Sequence, residues 1–299
     1  MKKHLLALTI AALAAGGAFA QANDTLAKVK ASGSITEGVR DSSGLSFTLG
    51  DGKYTGFHYD VCAKIIADVQ KNLGLAKLDV KLQPVTSQNR IPLVQNGTVD
   101  IECGSTTNNA TRQKDVAFAI TTYVEEVRIA VKANSGITSI SDLKDKTIAT
   151  TTGTTSVQTL RKNKRAEGLE FKEVFGKDHS DSFLLLESGR ADAFIMDGSI
   201  LASNIAKSKN PADFKVVGDV LNVEPIGIMI RKDDPAFKKV VDDSIRAQIK
   251  SGDMAKLYDK WFLQPVPPNN VKIGLALSDA TKDAWANPND KPMEDYAKK

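Results

Sequence analysis

The chain has 299 residues, with 40 lysines and arginines against 36 aspartates and glutamates, two cysteines and three histidines. At 41% hydrophobic and 25% charged it has the composition of a folded soluble protein, which excludes a disordered chain, a collagen-like repeat and a disulfide-dense miniprotein. It exceeds the roughly 250 residues at which one core usually divides, so two lobes are expected, and a formal charge of +4 carries no nucleic-acid signature.

Lys2 and Lys3 precede an apolar run from Leu5 to Ala15, and Ala18-Phe19-Ala20 or Ala20-Gln21-Ala22 offers a small-x-small cleavage pattern. Residues 1–22 therefore read as a signal peptide. The run is shorter than the ~20 residues a membrane-spanning helix needs. The first cysteine is Cys62, so no lipid anchor is expected at the cleavage point.

Next comes a short strand, Ile35–Val39, and a glycine-rich stretch with hairpin chemistry at Asp51-Gly52. Apolar residues at Val61, Ile65, Ile66, Val69 and Leu73 predict a helix from about Asp60 to Leu73. Leu78–Val85 alternates as a strand, Ser87 can cap a helix through Gln95, and Asn96-Gly97 turns the chain into Val99–Cys103. Further on, strands at Thr147–Thr151, Phe171–Phe175 and Ala193–Met196 interleave with helices at Thr155–Asn163, Ser182–Glu187 and Ser199–Lys207. Such interleaving predicts parallel α/β sheets. Val127–Val131 and Ile226–Ile230 alternate like strands and are read as two extended crossings between lobes. Lobe 1 would then comprise residues 23–130 and 226–299, and lobe 2 residues 131–225. After Pro265 a wrapping tail is expected, broken by Pro265, Pro267 and Pro268.

An internal echo accompanies this division. Leu93-x3-Gly97-x2-Asp100 recurs as Leu185-x3-Gly189-x2-Asp192, and the same offset pairs Ser87 with His179 and Ser105 with Asp197. In open α/β sheets ligands bind beyond the carboxyl ends of the strands, where these four polar residues fall. Cys62 and Cys103 match no zinc spacing; a disulfide is the preferred reading, with two buried thiols as the alternative.

Arg40 follows the first strand, Arg90 stands in the first turn of a helix where the dipole disfavours a cation, and Arg112 follows a polar loop. Together they suit a carboxylate, which guanidinium binds bidentately. The stretch Thr150–Ser156 links a strand to a helix and offers hydroxyls and backbone N–H groups to an anion, without the lysine spacing of a nucleotide loop. His179 and Asp197 complete the set. Three arginines, one histidine and one aspartate match a molecule with two carboxylates and one ammonium, that is, an acidic amino acid.

Thr86-Ser87-Gln88-Asn89-Arg90-Ile91-Pro92-Leu93, Glu102-Cys103-Gly104-Ser105-Thr106-Thr107-Asn108-Asn109, Lys177-Asp178-His179-x-Asp181-Ser182-Phe183 and Arg231-Lys232-Asp233-Asp234-Pro235 resemble the glutamate/aspartate periplasmic binding proteins of polar amino acid ABC transporters. The resemblance spans essentially the whole mature chain. It implies a two-lobed type II periplasmic binding fold, L-glutamate or L-aspartate held between the lobes by hinge closure, and a membrane permease as partner of a monomer. By resemblance, Arg112, Ser105 and Thr107 would hold the α-carboxylate with help from Thr155. Asp197 would take the α-ammonium, while Arg40, Arg90, Ser87 and His179 would surround the side-chain carboxylate. Ile226-Gly227 stands where relatives often carry Tyr-Gly. Glutamine or another polar amino acid is the nearer alternative. A dehydratase on the same fold is the more distant one, because the mature chain has only His58 and His179 and no legible nucleophile–base pair. No metal or organic cofactor is expected.

Overall fold

The structure, a computed structural model, describes residues 24–296; the leader read at residues 1–22 lies outside them. The chain opens with α1 (Thr25–Ser32), β1 (Ser34–Val39), β2 (Phe47–Gly50), β3 (Lys53–Thr55), α2 (Phe57–Asn72), β4 (Asp79–Pro84), α3 (Arg90–Gln95), β5 (Ile101–Glu102) and β6 (Val116–Phe118). The middle comprises β7 (Tyr123–Lys132), β8 (Thr147–Thr151), α4 (Thr155–Ala166), β9 (Lys172–Gly176), α5 (His179–Glu187), β10 (Ala193–Asp197), α6 (Gly198–Lys207) and β11 (Phe214–Ile226). β12 (Met229–Arg231), α7 (Pro235–Lys250), α8 (Asp253–Tyr258), β13 (Pro265–Val266), β14 (Val271–Lys272), α9 (Asp279–Ala286) and α10 (Met293–Tyr296) follow.

Two five-stranded sheets form, in the orders β4-β1-β5-β12-β6 and β11-β7-β10-β8-β9. They are not the purely parallel sheets expected. β4, β1 and β5 run parallel, as do β9, β8 and β10, but β12 is antiparallel to β5 and β6, and β7 is antiparallel to β10 and β11. The βα units produce the parallel halves, whereas strands that arrive from the other lobe run the opposite way.

The strands carry apolar side chains on both faces. In β10, Ala193 and Ile195 enter one core with Val127, Ile129 and Leu160, while Phe194 and Met196 enter the opposite one with Phe183 and Ile200. The first sheet is covered likewise, by a large core under α2 and α7 and a smaller one around Val94, Val99 and Phe118. A sheet buried on both faces is the three-layer arrangement such sequences require.

The echo has a structural counterpart. Gly97 and Gly189 both adopt φ +75, a left-handed turn that a side chain disfavours. Asp100 then accepts from the Thr36 N–H at 2.9 Å, and Asp192 from the Thr147 N–H at 2.8 Å. Each aspartate thus ties the start of its strand to the neighbouring one, β5 to β1 and β10 to β8.

β7 and β11 lie side by side, from Tyr123 opposite Ile226 to Lys132 opposite Phe214. The expected second crossing strand at Ile226–Ile230 is interrupted, because β11 ends at Ile226 and β12 begins at Met229. Between them the chain passes from one sheet to the other, with the Ala119 N–H donating to the Ile228 carbonyl at 2.9 Å. Ile226 itself is fully buried in the large core, so no aromatic ring reaches the site from this position. The tail beyond Pro265 does wrap, but carries α9 and α10. The Trp285 Nε1–H donates to the Thr122 carbonyl at 2.8 Å, and the Met293 N–H to the Asn108 carbonyl at 2.9 Å.

Cys62 and Cys103 form a disulfide with their Cα atoms 6.3 Å apart, joining α2 to the residue after β5.

Candidate ligand-binding site between the lobes

Every residue singled out from the sequence follows the carboxyl end of a parallel strand. Arg40 follows β1, Ser87 and Arg90 follow β4, and Ser105, Thr107 and Arg112 follow β5. In the other lobe Thr155 follows β8, His179 follows β9, and Asp197 ends β10. All nine are buried, and the two sets face each other. The lobes are in contact. One Arg40 Nη atom donates to Asp178 at 2.8 Å, to Ser87 Oγ at 3.1 Å and to His179 Nε2 at 3.1 Å. Ser42 Oγ donates to the same Asp178 at 2.9 Å, and Arg112 donates to the Gly153 carbonyl at 3.4 Å.

Two glycines permit this approach. A Cβ on Gly44 would stand 2.5 Å from the carbonyl carbon of Ser199, and one on Gly153 would stand 2.9 Å from the Gln88 backbone. Gly153 also adopts φ +81. The backbone of one lobe here lies directly on that of the other.

The guanidinium groups differ in their partners. Arg40 is matched by Asp178 across the seam, and the arginine holds that carboxyl below its usual range although burial pushes it up. Arg90 donates only to the Ser105 carbonyl, at 3.2 Å, and Arg112 to the Thr107 and Gly153 carbonyls. Burial first, and Arg112 second, lower Arg90 to about 9. Arg112 is lowered chiefly by burial, with Glu224 opposing. Both remain cationic at neutral pH. Arg40 Nε and one Nη, Arg90 Nε and Ser105 Oγ are buried without a hydrogen-bond partner among the described residues. Buried donors of this kind are costly unless something accepts from them.

His179 is pressed down to about 3 by burial and then by Arg40. An arginine has only donors, so Nε2 accepts from it and the proton sits on Nδ1, which faces Thr151 Oγ1 at 3.0 Å. The histidine is neutral here.

Four further acids escaped the sequence reading. Asp178 neutralises Arg40, and Glu102 accepts from Thr106 Oγ1 at 2.6 Å. Glu224 on β11 accepts from both Thr107 Oγ1 and Thr155 Oγ1 at 2.6 Å. Glu125 on β7 stands directly opposite Glu224 in the strand register and accepts from the Ser199 hydroxyl. Burial raises Glu125 to about 8, Ser199 opposes the rise, and Glu224 adds to it. Asp197 is pushed well above the usual carboxylate range by burial, then by Glu125 and Glu224. Glu125 and Glu224 lie on the crossing strands rather than at strand ends, so the rule that located the other residues could not reach them. Their sequence signal is weak, because the polar neighbours Glu126 and Asn222 break the apolar alternation around Val124-Glu125 and Val223-Glu224.

The site thus offers two cationic groups without carboxylate partners among the described residues, and beside them a group of three carboxyls. As to metals, Glu37, Cys62 and Cys103 form the one cluster of potential ligands among the described residues, and the disulfide leaves it no thiolate.

Comparison with known proteins accords with this geometry. The profile of the bacterial extracellular solute-binding proteins, family 3, matches residues 35–264. The chain is 44% identical over 296 residues to the glutamate/aspartate import solute-binding protein of Escherichia coli, covering 96% of this chain and 98% of that protein. It is 45% identical over 272 residues to the L-glutamate/L-aspartate-binding protein of Pseudomonas aeruginosa, covering 90% of each. Among solved structures, an ancestral amino acid-binding protein described as a precursor of cyclohexadienyl dehydratase superposes with a TM-score of 0.67 at 29% identity, over 80% of this chain and 99% of that one. The fold, the facing strand ends and the span of these matches place the chain in one family: it is a bacterial extracellular solute-binding protein of family 3.

Proposed function

We propose that the protein captures L-glutamate and L-aspartate between its lobes and delivers them to the permease of an amino acid ABC transporter. The observation that carries this reading is the pair Arg90 and Arg112, two buried cations facing the interlobe seam with only carbonyl partners. A dicarboxylate supplies one anion to each. A neutral amino acid would leave one guanidinium without a counter-charge, which is costly in a buried setting.

Arg112, Ser105 and the first N–H groups of α4, which no helical carbonyl can accept from, receive the α-carboxylate. Arg90, the free donors of Arg40, and Ser87 receive the side-chain carboxylate, and Asp197 receives the α-ammonium. The hydroxyls of Thr107 and Thr155 already donate to Glu224, so those residues offer a carboxylate their backbone N–H groups instead.

The sequence division at residues 130 and 226 is taken here at the ends of β7 and β11 nearest the first sheet, since β7 and β11 pair within the second sheet. Lobe 1 is then residues 23–122 with 227–299, and lobe 2 residues 123–226. Opening about the paired crossing strands separates Arg40 from Asp178 and His179. Ligand then favours closure through Thr155 and Asp197, which it cannot touch while the lobes are apart, and closure seats His179 against Arg40. The protein works as a periplasmic monomer exported by residues 1–22.

Calorimetry with a panel of amino acids tests the reading. Glutamate and aspartate should bind, and Arg90→Ala should lose both. Tighter binding of glutamine than of either would overturn the roles given to Arg40 and Arg90, and turnover of a prephenate-like substrate would overturn a binding role.

A further inference from the structure

Glu224 is fully buried on β11, yet its carboxylate reaches both lobes. Its Oε2 accepts from Thr107 of one lobe and Thr155 of the other, each at 2.6 Å, and its Oε1 accepts from Asn222 Nδ2 at 3.0 Å. A threonine hydroxyl has one proton and two lone pairs, and here both hydroxyls, 3.3 Å from each other, donate to the same Glu224 oxygen. Each of these hydroxyls therefore spends its single proton on Glu224. What remains to face a ligand is lone pairs, which repel a carboxylate and accept from an ammonium. The carboxyls of Asp197 and Glu125 lie within electrostatic reach of the same spot, so further acceptor oxygens stand beside the two hydroxyls.

Building on the proposed function, we propose that Glu224 is the specificity-determining residue for the α-ammonium. It turns the Thr107 and Thr155 hydroxyls toward itself, makes them acceptors toward the cleft, and so lets the protein distinguish an amino acid from a plain dicarboxylate of the same length. Glu224 acts through the two threonines and is a positioning residue.

The test compares L-glutamate with glutarate, which keeps both carboxylates and lacks the amine, in titrations of the full mature protein. Wild type should prefer glutamate by at least a hundredfold. Glu224→Gln should narrow that ratio at least tenfold by weakening glutamate while glutarate is held or gains. A parallel loss of both ligands would reduce Glu224 to a scaffold role and overturn the inference. A parallel gain would overturn it too, by marking Glu224 as a stand-in for the ligand's own carboxylate.

Thr155→Val supplies a second variant of nearly the same shape should Glu224→Gln fail to fold. It should weaken glutamate and spare glutarate, whereas an equal loss of glutarate would mean that the hydroxyl serves a carboxylate. If wild type binds neither glutamate nor aspartate, the proposed function fails. The inference is then decided by the same ratio, taken between the amino acid that does bind and its counterpart without the amine.

Discussion

Arg90 shows how one residue trades stability for binding. Its charge is held in the interior by a single carbonyl, and burial lowers its affinity for a proton to about 9, so the ligand-free fold carries a cation it would be better without. Functional sites commonly hold such groups at the expense of stability. Replacing it by an uncharged side chain of similar length, Arg90→Met, should therefore abolish tight glutamate binding while thermal unfolding of the ligand-free protein shifts upward or stays unchanged. Losing one partner of a buried ion pair costs about 3–5 kcal/mol, a drop in affinity on the order of a hundredfold or more. Calorimetry reads the first effect and a melting curve the second; a melting point that falls with the affinity would show that Arg90 supports the fold. The three arginines were legible in the sequence because each follows a strand end or its loop. Their differing partners were not. Asp178 matches Arg40 only because two lobes meet, and the sequence count of three arginines against one aspartate omitted it. With Arg40 paired inside the protein, Arg90 and Arg112 remain as the cations that the proposed function assigns to two ligand carboxylates.

At the scale of elements, the βα units explain what the sequence could and could not show. Period-2 and helical patterns located β8 and α4 at their first residues, since each is bounded by polar turn chemistry. The same patterns missed the mixed direction of both sheets, because strand pairing depends on where a distant segment enters. They also hid the role of Gly44, whose backbone needs no glycine in isolation. Only the approach of α6, with Ser199 against it, forbids a side chain there. Gly44→Ala should thus leave each lobe folded and the melting point of the ligand-free protein nearly unchanged. It should weaken glutamate roughly 5- to 150-fold, the range expected for about 1–3 kcal/mol of overpacking in the closed state. The loss should appear in the dissociation rate, and small-angle scattering should show a smaller contraction on adding ligand. An unchanged dissociation rate would show that the lobes do not close on this contact. The disulfide is the contrasting case, because it lies within one core and spans 41 positions of chain. Replacing Cys62 and Cys103 by alanine should lower unfolding free energy by about 4 kcal/mol on the chain-entropy account. Glutamate affinity below the melting transition should hold, as measured by urea titration alongside calorimetry.

For the whole molecule, closure links the site to pH through His179. With the lobes together, the Nε2 lone pair accepts from Arg40, and burial and that guanidinium press the imidazole down to about 3. With the lobes apart, the ring gains solvent and loses Arg40, so it should rise toward its ordinary 6.5. The groups that face it from the packed elements are Arg40 and Arg90, which oppose protonation, and Asp178, which favours it less strongly than burial opposes it. The sign follows from the number of protons bound. Above 6.5 both forms carry a neutral ring and pH has no effect through this group. Below 6.5 the open form takes a proton that closure must expel, so affinity falls with pH until the closed form itself titrates near 3. Between pH 7.5 and pH 5.0 glutamate affinity should drop by up to roughly 30-fold through this linkage, the limit set by a full return to 6.5. His179→Gln keeps an acceptor for Arg40 and cannot titrate, so its profile should be flatter by that factor over the same interval. Titrations of both proteins at half-unit steps decide it. Parallel profiles would place the linkage on the carboxyls around Asp197, whereas a flattened variant would show that protons on a single histidine compete with closure of the two lobes.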